Sequence, residues 1–79
     1  MQKEYALFNL KEAKSALEDL IAEMESDADY DIGNYIVDIQ HLYWHINSAW
    51  NGREFEVSAQ ELTDEMYEQF IQFPKDLSL

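Results

Sequence analysis

Asp38, His41 and His45 are the residues of this chain whose types and spacing come nearest to chemistry. Steps of three and four put them on one face of a helix, with Asn34 one turn earlier. Two imidazoles at i and i+4 point the same way and suit zinc or another transition ion. The pattern is not that of a His-Glu-x-x-His metalloprotease, because Leu42, Tyr43 and Trp44 separate the histidines and no cysteine is present. The expectation is a pair of solvated surface histidines, with a weakly held metal on Asp38, His41 and His45 as the sharper alternative.

Other catalytic arrangements are hard to build from these residues. Seventeen Asp and Glu invite a paired-carboxylate reading, but that chemistry needs two acids in one cleft with their pKa values pushed apart. Here the acids fall on helix surfaces and turns, where a solvated charged face is the simpler account. No Glu-x-x-His pairs suggest a di-iron bundle. The serines lack a Gly-x-Ser-x-Gly context, and the two glycines, Gly33 and Gly52, cannot form a phosphate loop. The chain is expected to be no enzyme and to need no cofactor.

The charge is more informative. Five Lys and Arg against seventeen acids give a net charge of −12. Such a surface repels nucleic acid and anionic lipid, and attracts a basic protein. Two acid-rich stretches stand out as docking candidates: Glu18, Asp19, Glu23 and Asp27 in the first, and Asp64, Glu65 and Glu68 in the second.

These side chains must be positioned by helices. Between Tyr30 and Asn51 lie both tryptophans, both histidines and three of five tyrosines, with few charges. Ile32, Tyr35, Ile36, Ile39, Leu42, Tyr43, Ile46, Ala49 and Trp50 recur at three- and four-residue steps and predict one broad apolar helix face. Asp29 or Asp31 caps its start, and Asn51-Gly52 reads as a left-handed stop. Val37 and Trp44 lie on the opposite side, which implies a second neighbour there.

The stretch from 3 to 26 predicts a helix through the stripe Ala6, Leu10, Ala13, Leu17, Leu20 and Met24. A later start, with Asn9 and Glu12 as a capping box, is the competing reading. The segment Ser26 to Asp29 is the turn. Arg53 to Val57 reads as an extended linker pressing Phe55 and Val57 inward. Ser58 and Glu61 form a capping-box pattern with a Val57–Leu62 staple, which starts the third helix at Ala59 and lets Pro74 end it. A loose tail follows over 74–79.

The sequence therefore predicts a single all-α domain over 1–79: an antiparallel three-helix bundle with helices at about 30–51 (central), 3–26 and 59–73, self-associating in one reading. The absence of cysteine, of a signal-peptide pattern and of an apolar run near the ~20 residues of a membrane span points to the cytoplasm. The expected function is a small acidic binding protein, of inhibitor, immunity or adaptor type, that docks a basic partner. The alternative is a homodimer. Eleven aromatic side chains exceed what so small a core hides, so Val37, Tyr43, Trp44 and Trp50 are expected at an interface.

Overall fold

A computed structural model describes residues 1–78 of the chain, and these residues form an all-helical structure. Helix α1 spans Lys3–Ser26, α2 spans Ile32–Asn51, and the short α3 spans Asp64–Phe70. Among the described residues no helix is long and apolar enough to cross a membrane.

Helix α1 begins at the earlier of its two candidate starts, with Asn9 inside it. The Asn9 side chain is buried and its Nδ2 donates to the Tyr5 carbonyl at 3.1 Å. In the turn, Asp27 Oδ1 accepts from the Asp29 N–H. Asp31 then caps α2: its Oδ1 accepts from Gly33 and Asn34, and the Asn34 side chain accepts from the Asp31 N–H. This reciprocal pair satisfies backbone donors that the helix start leaves free.

Helices α1 and α2 form a hairpin. Gln2 N–H donates to the Arg53 carbonyl, Asn9 meets His45, and Glu23 lies beside Asp38, so the two chains of pairings run in opposite senses. The α1 side of the contact is made of small residues. Ala6, Asn9 and Ala13 are buried there with Leu20, and Ala16 is half-buried. On α2 the facing residues include Leu42, Ser48 and Ala49. Small residues let two helix backbones approach closely, but they hide little apolar area.

The large side chains predicted as core therefore point elsewhere. Leu7, Leu10, Leu17, Ile21 and Met24 of α1 are exposed, as are Ile32, Tyr35, Ile36, Tyr43 and Ile46 of α2. The radius of gyration is 14.3 Å, against about 11.6 Å for a compact domain of this length.

The third element corrects the sequence reading. Residues 57–60 are turn and bend, and the helix starts only at Asp64. Its cap is Thr63, whose Oγ1 accepts from Met66 N–H at 3.2 Å, with Asp64 and Glu65 well placed in the first turn against the helix dipole. The pull that defeats the Ser58 cap is tertiary. Phe55 is buried with its ring 5.0 Å from Tyr5 and 6.0 Å from Phe70, and Val57 and Leu62 line the same cleft as Tyr5 and Phe8. The segment wraps the start of α1 instead of coiling.

Gly52 also differs from expectation. Its φ is −97°, not left-handed. What it provides is space: an added Cβ would meet Tyr5 Cε2 at 2.5 Å and the Ser48 carbonyl oxygen at 2.9 Å.

Candidate functional site

The face carrying the histidines is turned toward α1 at His45, while His41 is exposed as the sequence predicts. His45 is half-buried, and its Nδ1 lies 3.0 Å from Asn9 Oδ1. Because the Asn9 amide already donates to Tyr5, its oxygen is the acceptor and His45 Nδ1 carries the proton. The Nε2 atoms of His45 and His41 then face one another at 3.2 Å, with the rings edge to face. Burial first, and then the neighbouring His41, holds the His45 imidazolium below its ordinary pKa, while Glu12 pulls the other way.

Asp38 does not join this pair. Its Oδ2 accepts from the Tyr30 hydroxyl at 2.9 Å. Partial burial and this hydrogen bond push the Tyr30 phenol up to about 12. The negative charge of Asp38 raises the Glu23 carboxyl first, followed by loss of solvent, the side-chain hydrogen bond to Asp38 and the weaker repulsion of Asp19 and Asp27. Among the described residues, no three His, Cys, Asp or Glu side chains converge in a metal-holding group. The Asp38, His41 and His45 triad is thus corrected to a histidine pair, with the carboxylate engaged by a tyrosine.

Glu12, Asp19, Glu23, Asp38 and His41 line one cavity of about 230 Å³ between the helices. Of the acidic docking candidates, Glu18, Asp19 and Glu23 sit on the half of α1 next to the α1–α2 turn, and Asp27 opens that turn. Asp64, Glu65 and Glu68 sit on α3, which packs on the later half of α2. All seven are exposed, and they form two separate groups.

The aromatic candidates divide as well. Trp44 is half-buried and shares a cleft with Phe8, His45, Leu62, Tyr67 and Ile71, so the second side of α2 is covered there from within the chain. Val37 and Tyr43 are exposed, at 65% and 50%. Tyr43 borders an apolar groove of about 590 Å³ with Ile36, Ile39, Ile71 and Phe73. Trp50 is engaged in a clamp. Its Nε1–H donates to Asp76 at 3.0 Å, and the Arg53 guanidinium stacks 4.1 Å over its ring while also pairing with Asp76. These donors hold the Asp76 carboxyl below its usual range, the indole first and the guanidinium second. The expected loose tail is thus tied down at Asp76; Leu79 lies outside the described residues.

Sequence reasoning missed Asn47 and Asn51. Asn47 Nδ2 donates to the Ile71 carbonyl, and Asn51 Nδ2 to those of Phe70 and Gln72. These are the carbonyls that the end of α3 leaves without partners. The available signal was the four-residue step from Asn47 to Asn51, which puts two amides on one side of a helix with a single charged residue.

Around each helix, residues advance by about 100°. On α1, Lys3, Leu7, Leu10, Lys14, Leu17, Ile21 and Met24 fall in one sector centred about 90° from the contact line with α2. On α2, Ile32, Tyr35, Ile36, Ile39, Tyr43 and Ile46 fall in a sector about 130° from the contact line in the same rotational sense. In helices running oppositely, equal senses of rotation lead to the same side of the pair. Both stripes therefore share one face of the hairpin. Glu25 is the one acid in the α1 sector, and the α2 sector has none of its own, although Trp50, also in that sector, carries the Asp76 carboxylate on its indole with Arg53 as counter-charge. Glu12, Asp19 and Glu23 lie on the other side of α1.

Comparison with known proteins adds no relative: no protein family, curated protein or solved structure matches this chain.

Proposed function

We propose that this protein is a non-enzymatic protein-interaction module that pairs with a second copy of itself through the apolar face of the α1–α2 hairpin. The observation that carries this reading is the near absence of acids from that face in a chain of net charge −12. Two such chains repel wherever their acidic surfaces meet. They approach at least cost where each presents Leu, Ile, Met and two lysines.

Area supports the same reading. The accessible surface is 6026 Å², while a folded monomer of 9.4 kDa is expected to show about 5,000 Å². The excess, roughly 1,000 Å², is comparable with the ≈ 800 Å² that each partner buries in a standard interface. The spacing fits as well. Leu7, Leu10, Leu17, Ile21 and Met24 follow alternating three- and four-residue steps, with Lys14 filling the missing position, as in a helix-bundle seam. Two hairpins packed face to face make a four-helix bundle, the arrangement that supplies such hairpins with a core.

The test is mass by light scattering and sedimentation at low and high salt. The expected result is a dimer, largely insensitive to salt. Leu17→Glu or Ile46→Glu, each placing a charge on the seam, should yield monomers that remain helical by circular dichroism. A wild-type chain that is monomeric at high micromolar concentration, or a dimer that survives both substitutions, overturns the reading. The acidic groups on the other surfaces favour a second reading, docking of a basic protein. That binding would weaken steeply with added salt.

A further inference from the structure

We infer that His41 and His45 form a binding site for a late first-row divalent cation, with Asn9 of α1 as its orienting group. Two imidazole nitrogens bound to one tetrahedral zinc at 2.0–2.1 Å stand about 3.3–3.4 Å apart. The Nε2 atoms of His41 and His45 are 3.2 Å apart. A cation therefore fits between rings already spaced as its ligands.

The support around the pair has the form that metal-binding histidines require. A ligating imidazole donates its other N–H to an acceptor, which fixes the tautomer and the ring plane. His45 does this through Nδ1 to Asn9 Oδ1, and Asn9 is itself held, 3% exposed, by its bond to the Tyr5 carbonyl. The Nε2 lone pair of His45 is thus aimed at His41 from a position two helices define. Without metal, His41 donates its Nε2–H to that lone pair. With metal, His41 carries its proton on Nδ1 and presents its own Nε2 lone pair.

The charge around the site favours a cation. His41 shares its cavity with Glu12, Asp19, Glu23 and Asp38, and Glu12 also acts on the His45 ring. His41 is exposed, so the ion enters directly from solvent. With two protein ligands the remaining positions fall to water, which makes the ion exchangeable. Two nitrogen donors bind in the order Cu²⁺ above Ni²⁺ and Zn²⁺, with Mn²⁺ and Mg²⁺ far weaker.

The experiment is calorimetric titration of the full chain with zinc chloride, and separately with nickel and magnesium chlorides, above pH 7. The expected result is one zinc per chain, no comparable magnesium binding, and loss of the zinc isotherm in His41→Ala, which leaves the His45–Asn9 bond in place. Asn9→Ala keeps both imidazoles and should weaken binding about 10–100-fold. Should that variant unfold, long-range imidazole ¹⁵N spectra of the wild type decide: zinc must shift the Nε2 resonance of both rings and leave His45 Nδ1 protonated. No isotherm at millimolar zinc, or an isotherm unchanged in His41→Ala, overturns the site; the latter assigns the ion to the carboxylates alone.

Discussion

At Gly52 the ring of Tyr5 occupies the volume a side chain would need, with its Cε2 2.5 Å and Cδ2 2.7 Å from the position of a Cβ. Gly52→Ala should destabilise the fold by about 1–3 kcal/mol, as overpacking does. Chemical denaturation reads this directly, and an unchanged midpoint would mean that Tyr5 moves aside freely. The histidine pair gives a second expectation at this scale. His45 is held below its ordinary value by burial and by His41, so the unfolded chain binds a proton that the folded chain resists. Stability from this source is complete above the ordinary histidine pKa, about 6.5, and declines as pH falls through it. With chelator present, the wild type should lose stability between pH 7.5 and 5.5, and His45→Gln should flatten that slope. Glu12 opposes part of the effect. Equal slopes in the two proteins would remove His45 as the cause.

At the scale of elements, α1 and α2 were legible because their signals are local: a capping acid at Asp31, good helix formers, and long periodic runs. The third helix was not. Ser58-Ala59-Gln60-Glu61 satisfies a local pattern, but Phe55, Val57 and Leu62 are drawn onto the start of α1, and the helix waits for Thr63. Thr63→Ala should therefore cost about 1 kcal/mol. Ser58→Ala should cost little, because no capping bond from Ser58 is formed among the described residues. Unfolding midpoints for the two variants compare them within one experiment; equal losses would restore the earlier start. The apolar stripes were legible as stripes, yet not as to which neighbour covers them. Periodicity marks a face as apolar. It does not say that Ala6, Ala13 and Ala16 would take the helix contact and send Leu10, Leu17 and Ile21 outward.

At the scale of the whole molecule, the composition suggested more core than one chain closes. Among the described residues the buried apolar set is Tyr5, Ala6, Ala13, Leu20, Leu42, Ala49 and Phe55, three of them alanine, and no large side chain is fully enclosed. Stability in the proposed dimer is then tied to concentration, since a partner that binds only the folded chain stabilises it by mass action. The thermal midpoint should rise with protein concentration in the wild type and stay constant in Leu17→Glu. A midpoint independent of concentration in both would argue against pairing. Net charge was legible from composition. Its distribution was not, because it depends on the contact line between the helices, and that line ran through Asn9 and His45, which sequence reasoning had assigned to other roles.

The clamp at the end of α2 has an optical consequence. Indole emission responds to charge and polarity around the ring, and the two tryptophans sit in different surroundings. Trp44 lies in the cleft beneath α3, while Trp50 is covered by Arg53 and bonded to Asp76. The protein thus carries two intrinsic fluorophores, one reporting on the seating of α3 and the other on the attachment of the last residues of the chain, with no label introduced.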